Sequence, residues 1–349
     1  MSSSIAIHDH SFLSKKSFGQ LSDGTEIDLF TLRNKQGMEL AITNFGAAIQ
    51  ACLIPLTDGN KRDVVLGYSS VADYEKSFRS GSSPYFGAIV GRVAGRISHG
   101  KLILDGKEIQ LEKNHGEHHL HGGRYGFSSS VFKLISCNNS ESPSLTLQHI
   151  SRSVDCGYPG DVILNVKYTL LSSNTISIEM TATSTEDTIL NLTQHSYFNL
   201  SGHEQSLDGH EMRIESKRII DTDSELIPTG VCIPLKNHDL DYTQFRPCPI
   251  KIDTSFIAAH KHNPVAELKN VDSNLSMKVR TNQPIVHIYI GGQTDIPGKE
   301  GINYHSRSGI CFEAQGYPYK PNLEHFRKIE LKATAKYYHS VQFSFEDKL

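Results

Sequence analysis

The feature that most constrains this chain is a side-chain alternation of period two that returns along most of its length. Ile27-Asp28-Leu29-Phe30-Thr31-Leu32, Glu39-Leu40-Ala41-Ile42-Thr43, Leu145-Thr146-Leu147-Gln148-His149-Ile150 and Ile176-Ser177-Ile178-Glu179-Met180-Thr181 all follow it. Val162 to Leu171, Ile285 to Ile290 and Ser340 to Phe345 read the same way. Successive side chains of a strand point to opposite faces, so such runs suit half-buried strands and not helices. Turn residues separate them: Asp23-Gly24, Asp58-Gly59-Asn60, Asp105-Gly106 and Tyr158-Pro159-Gly160-Asp161. Asp105-Gly106, between Leu102-Ile103-Leu104 and Glu108-Ile109-Gln110-Leu111, predicts a tight hairpin. Helical windows are few and short, the best being Val71 to Phe78. The pattern predicts an all-β fold, a large antiparallel β-sandwich with few short helices. No low-complexity linker or internal repeat divides it, so one domain is expected over residues 16–349, with residues 1–15 as a loosely ordered arm.

Composition limits the partners. The 349 residues are 38% apolar and carry a net charge of −3. That is enough apolar content for a real core and too little clustered positive charge for nucleic acid or an anionic membrane as the main partner. Met1 to Lys16 is polar, without an apolar run of signal-peptide length, and no stretch approaches the ~18 apolar residues of a spanning helix. A soluble, cytoplasmic protein is expected, as a monomer or homodimer. The six cysteines form no C-x-x-C pair, which suits scattered reduced thiols better than a disulfide framework.

Two segments carry the chemistry of a proton shuttle: Leu120-His121-Gly122-Gly123 and His195-Ser196-Tyr197-Phe198-Asn199-Leu200-Ser201-Gly202. An imidazole exchanges protons near neutrality, and the glycines after His121 permit close approach of a ligand. Each histidine, taken alone, also fits a structural role bonded to backbone. Downstream, Gly309-Ile310-Cys311-Phe312-Glu313-Ala314-Gln315 places one carboxylate in an apolar run. Alternation sets Cys311, Glu313 and Gln315 on one face, which is either exposed or lines a polar cleft. A carboxylate partly shielded from water can serve as a base. In Gly91-Arg92-Val93-Ala94-Gly95-Arg96-Ile97, either arginine can offer its fork of donors to a hydroxyl or ring oxygen, or can sit in a surface ion pair. Asp253, in Ile252-Asp253-Thr254-Ser255-Phe256, is an acceptor for two adjacent hydroxyls or a turn residue.

Taken in order, these motifs make the chain similar to the aldose 1-epimerase (galactose mutarotase) family. The resemblance runs through Phe18-Gly19, Asn44-Phe45-Gly46-Ala47, Asp63 to Tyr68, Gly91 to Ile97, Asn114, the His121 and His195 motifs, Gly157 to Asp161, Ile227-Pro228-Thr229-Gly230, Asp253 to Phe256 and the Glu313-x-Gln315 strand. It implies a β-supersandwich with a sugar-binding cleft and a reaction that interconverts the α and β anomers of a free aldose. It further implies Glu313 as base toward the C1 hydroxyl and His195 as acid toward the ring oxygen. His121, Arg96, Asp253, His287 and Gln315 are then expected to bind substrate. No metal or organic cofactor is implied. The competing classes are an epimerase of an acidic or phosphorylated sugar, and a sugar-binding module without turnover; the co-occurrence of His121, His195 and Glu313 favours an enzyme.

Four positions depart from the family pattern. Gly95 stands where Asn is usual, Thr254 and Ser255 stand in an Asp-His-Asn-Phe run, and His287 matches a Gln. If the small residues line the cleft it is roomier, and His287 can contact an acidic group on a larger sugar; ordinary drift at these positions, with neutral hexoses as substrates, is the favoured alternative. His115, His118, His119 and His121 crowd one loop; substrate contact by His118 or His119 is expected there in preference to a metal site.

Overall fold

The computed structural model describes residues 12–80, 83–259, 264–291, 295–320 and 329–347. Among them, three large antiparallel sheets hold most of the chain. The first is a meander of Leu13–Gln20, Glu26–Arg33, Glu39–Thr43, Ile49–Pro55 and Lys61–Asp63. The second has nine strands, built outward from the hairpin Val162–Leu171 with Thr175–Ser184 and the C-terminal strand Tyr337–Asp347. The third has six, in the order Tyr197–Phe198, Ile310–Gln315, Ile285–Ile290, Ile252–Ala258, Ser216–Thr222 and Pro228–Pro234.

The alternation read from the sequence is the alternation of burial. In Val162–Leu171, Val162, Leu164, Val166, Tyr168 and Leu170 are fully buried while Ile163 and Lys167 face out. Phe30 and Ile42 from the first sheet, Leu164, Ile178 and Phe343 from the second, and Ile288 and Phe312 from the third meet in one core cluster. Each such side chain withdrawn from water contributes roughly 1.5–3 kcal/mol before chain entropy opposes it. The predicted hairpin appears as Lys101–Leu104 paired with Lys107–Gln110. The predicted helix spans Val71–Phe78 and opens on Ser70, whose side chain accepts from the Asp73 amide at 3.2 Å. Among the described residues all six cysteines are free, and no helix is long and apolar enough to cross a membrane.

The expected N-terminal arm needs one correction. The first strand opens at Leu13, so the end of the 1–15 segment is pinned to Glu26–Arg33; residues 1–11 lie outside the described residues. Leu13 is itself buried in the main core, which is what holds it there.

Candidate active site

The six-stranded sheet turns one face to the core and the other to a cleft. In Ile310–Gln315, Ile310, Phe312 and Ala314 enter the core, which leaves Cys311, Glu313 and Gln315 on the far face. Val286, Ile288 and Ile290 do the same for their strand and leave His287 and Tyr289; Ile252 and Phe256 leave Asp253 and Ser255. The register sets Glu313 opposite His287, and His287 opposite Ser255. Because the cleft is itself enclosed, every residue of Ile310–Gln315 is buried, and Glu313 is only 2% exposed.

The two histidines reach this cleft from loops. Strand Thr193–Gln194 pairs with Ile89–Val90, and the His195 amide donates to the Ala88 carbonyl at 2.9 Å, which fixes the backbone from which the ring projects. His195 Nε2 lies 3.5 Å from Glu313 Oε1, and its Nδ1 lies 3.6 Å from Cys311 Sγ. His121 sits in a turn with φ of 55°, followed by Gly122 and Gly123, both left-handed. A Cβ on Gly122 would stand 1.9 Å from the Gly91 carbonyl oxygen, so only glycine lets the chain pass. Asn114 clamps the preceding residue: Leu120 N–H donates to its Oδ1 at 2.8 Å and its Nδ2 donates to the Leu120 carbonyl at 3.0 Å.

Hydrogen bonding decides the His121 tautomer. The Gly95 amide donates to His121 Nδ1 at 3.2 Å, so the ring proton of the neutral imidazole is on Nε2. Burial, reinforced by the charges of His195 and Arg96, pushes the His121 pKa well below its ordinary value and keeps the ring neutral. His121, His195 and Glu313 place one ligand atom each within 4.8 Å of one another, a grouping that a metal ion can also use. A metal on His121 needs a bare Nε2, which means turning the ring proton toward the Gly95 N–H. The arrangement therefore suits a hydrogen-bond donor better than a metal ligand.

Arg96, His115, Tyr85, Tyr197, Tyr289 and Gln315 complete the polar lining of a cavity of about 310 Å³, within the range of small-molecule sites. Ile220, Leu226 and Pro228 form an apolar wall. Of the residues singled out in the sequence, His121, His195, Glu313, Arg96, Asp253, His287 and Gln315 all line this one cavity. Tyr85 was not singled out. Its ring packs 4.9 Å from that of His121 and 5.8 Å from that of His195, and burial raises its pKa to about 12, so it presents a neutral phenol. No spacing rule points to it; only contact with both imidazoles does.

Several expectations fall here. Arg92 is neither a ligand for substrate nor a surface ion pair: it is 1% exposed and donates to Ser151 Oγ, the Ser151 carbonyl and the Pro159 carbonyl. His118 and His119 do not line the cleft. His119 is buried between the Glu112 carbonyl and the Tyr158 hydroxyl, and His118 Nδ1 accepts from the His99 amide. His115 is the member of that cluster at the cavity. Gly95 and Ser255 line the cleft, but Thr254 shares the opposite strand face with Ile252 and Phe256, so it adds no room.

A family model described as aldose 1-epimerase matches residues 28–344. The chain belongs to the aldose 1-epimerase family. With that family it is an epimerase that acts on carbohydrates. It is 32% identical to the galactose mutarotase of Sus scrofa, covering 94% of this chain and 97% of that one. It is equally identical to the aldose 1-epimerase of Haemophilus influenzae, over 93% and 97%. A solved aldose epimerase homologue from C. elegans superposes with a TM-score of 0.84 at 26% identity, over 91% of this chain and 98% of that chain. The fold expected from the resemblance, an antiparallel galactose-mutarotase-like sandwich, is the fold observed.

Within this family fold His287 is bound on both sides. Its Nε2 lies 3.0 Å from Asp253 Oδ1 and its Nδ1 2.8 Å from Ser255 Oγ. Burial alone would lower its pKa; the Asp253 hydrogen bond and the charges of Asp253 and Glu313 outweigh burial and hold it above the ordinary value. Burial likewise works to raise Asp253, and His287 and Arg96 overcome it, leaving that carboxyl low. The alternative in which His287 contacts an added acidic group loses support, because both ring nitrogens are already engaged.

Proposed function

We propose that this chain is an aldose 1-epimerase that opens and closes the hemiacetal ring of a neutral aldose, with Glu313 and His195 as the proton-transferring pair. The observation that carries the reading is the 3.5 Å separation of His195 Nε2 and Glu313 Oε1 on the buried floor of the cleft. A pyranose set over them presents its C1 hydroxyl and its ring oxygen to the two groups. Glu313 takes the hydroxyl proton, His195 Nε2 gives a proton to the ring oxygen, and the bond from C1 to the ring oxygen breaks, leaving an open aldehyde. Rotation about C1–C2 turns the other carbonyl face to the hydroxyl. Closure reverses both transfers and restores each group to its starting state, so the cycle consumes nothing.

His121 assists as a neutral donor, its Nε2–H aimed by the Gly95 contact at oxygen charge that develops on the substrate. Arg96, Asp253 and Gln315 hold the remaining oxygens, which fixes the reacting pose. Two carboxylates, Asp253 and Glu313, front the cavity, and His287 is already bonded to one of them. Carboxylates in the lining repel a uronate or sugar phosphate, which favours a neutral sugar. A pure binding module has no use for an acid and a base held this close.

The test is mutarotation followed by polarimetry with freshly dissolved α-D-galactose, α-D-glucose, a hexuronate and a hexose 6-phosphate. Acceleration of a neutral hexose above the spontaneous rate is expected. Preference for the uronate or the phosphate refutes the neutral-sugar assignment, and no acceleration of any of the four refutes the catalytic one.

A further inference from the structure

Ser255, His287 and Asp253 form a continuous chain of hydrogen bonds along the cleft, and two of the three, Ser255 and His287, stand where the sequence leaves the family pattern. The distances are 2.8 Å from Ser255 Oγ to His287 Nδ1 and 3.0 Å from His287 Nε2 to Asp253 Oδ1. All three side chains line the cavity. Ser255 lies two strands from Glu313, roughly 10 Å at the spacing of sheet strands. A sugar whose C1 is at Glu313 therefore brings the far side of its ring to Ser255 and Asp253.

Resting on the sugar reading above, we infer that this chain is a specificity device in which His287 sets the hydrogen-bond polarity of Ser255, so that Ser255 and Asp253 together select a hydroxyl remote from the anomeric carbon. The carboxylate keeps a proton on Nε2 in either state of the ring, so Nδ1 alone changes. When His287 is protonated, Nδ1–H donates to Ser255 Oγ and the serine hydroxyl hydrogen is free to turn into the cleft. A substrate hydroxyl between Ser255 and the second Asp253 oxygen then meets one donor and one acceptor. When His287 is neutral, Nδ1 accepts from the serine hydroxyl. The same substrate hydroxyl, with one hydrogen to give, now meets two acceptors and satisfies only one. A deoxy sugar satisfies neither partner, and a carboxylate at that position faces Asp253.

The groups facing His287 favour its protonated form on geometry as well. Asp253 comes from one neighbouring strand and Glu313 from the other; Arg96, on the short strand Arg96–Ile97 across the cleft, opposes, and His121 faces the site as a neutral ring. His287 acts through Ser255 and Asp253 and is a positioning residue, not a catalytic one. A glutamine at 287, the residue usual in the family, forms hydrogen bonds but cannot titrate.

The experiment measures KM and kcat for D-galactose from pH 5.5 to 8.5 in the wild type, His287→Gln and Ser255→Ala. In parallel, galactose binding to Glu313→Gln and Glu313→Gln/His287→Gln is titrated by calorimetry over the same range. In the wild type KM is expected to rise roughly 2- to 10-fold with pH, the scale of one hydrogen bond. That rise should vanish in both single variants, and the binding constant of Glu313→Gln should weaken in step. A wild-type KM flat with pH, or a rise of equal size in His287→Gln, overturns the inference. Binding that follows the expected pH dependence without wild-type turnover would uphold the selection device while removing the mutarotase reading, so the two failures are separable. Thermal melts of each variant confirm that it is folded.

Discussion

Replacing Glu313 by Gln tests the proposed chemistry most directly. The side chain is 2% exposed and nearly isosteric with glutamine, so the strand, the core beneath it and the cavity should be kept. What is lost is the ability to take a proton. Positioned general-base catalysis contributes about 10²–10⁴-fold, or about 2.7–5.4 kcal/mol of barrier at 1.36 kcal/mol per decade. A second effect follows from the 3.5 Å contact: any positive charge on His195 Nε2 loses a neighbour whose attraction is roughly 5 kcal/mol at an effective dielectric of about 20, before solvation opposes it. The two residues act as a unit in one ring-opening step, each moving its own proton, so their losses should not add. His195→Gln should cost a similar factor, and the double variant little more than the worse single one. The assay is polarimetry of dissolving α-D-galactose with the uncatalysed rate subtracted, alongside a melt to confirm the fold. Retention of more than a tenth of kcat by Glu313→Gln, or fully multiplicative losses in the double variant, would refute the paired acid–base mechanism.

Three further outcomes follow from particular contacts. Gly122→Ala forces its Cβ to 1.9 Å from the Gly91 carbonyl and should cost more than about 2 kcal/mol in denaturant unfolding. Gly95→Ala, also left-handed but with nothing within 4 Å, should cost only about 1–2 kcal/mol; equal costs would show that crowding at Gly122 is not the cause. Arg92→Met removes three hydrogen bonds, two of them buried, and should lower stability by about 3 kcal/mol while KM stays within twofold. Arg96→Met should do the reverse, raising KM at least tenfold with little change in the melting temperature. His339 is fully buried and its Nε2 has no partner among the described residues; burial lowers its pKa from 6.5 to about 3. The unfolded chain takes up that proton below pH 6.5 and the native state does not. Stability should therefore fall by up to about 1.4 kcal/mol per pH unit between 6.5 and 3. His339→Phe should flatten that limb in urea titrations, and parallel curves for the two proteins would refute the assignment.

Where one face of a strand meets the core and the other meets water, the sequence showed it. Val162–Leu171 and Thr175–Ser184 were readable for that reason, while turn chemistry marked the Asp105-Gly106 hairpin and a short helical window marked Val71–Phe78. The Ile310–Gln315 strand was harder. Both of its faces are covered, so the sequence could place Glu313 on a face without deciding whether that face was exposed. The two arginines of one motif look interchangeable on paper. Arg92 turns into a closed pocket of carbonyls and Arg96, paired in the sheet with Leu120, lines the cleft. The histidine-rich loop misled for a related reason: adjacent His118 and His119 leave the backbone toward separate structural partners, and His115 holds the place at the cavity.

Period-two patterning and turn chemistry, both local properties, were enough to determine an antiparallel β architecture, and motif order was enough to point to its family. Which side chains share the cleft depended on register between strands far apart in the chain, and on loops that bring residues 121, 195 and 313 together. The state of His287 was further from reach still. Its raised pKa and its two bonds depend on residues 32 and 34 positions earlier on the neighbouring strand, Ser255 and Asp253, and no local stretch of sequence carries that contact.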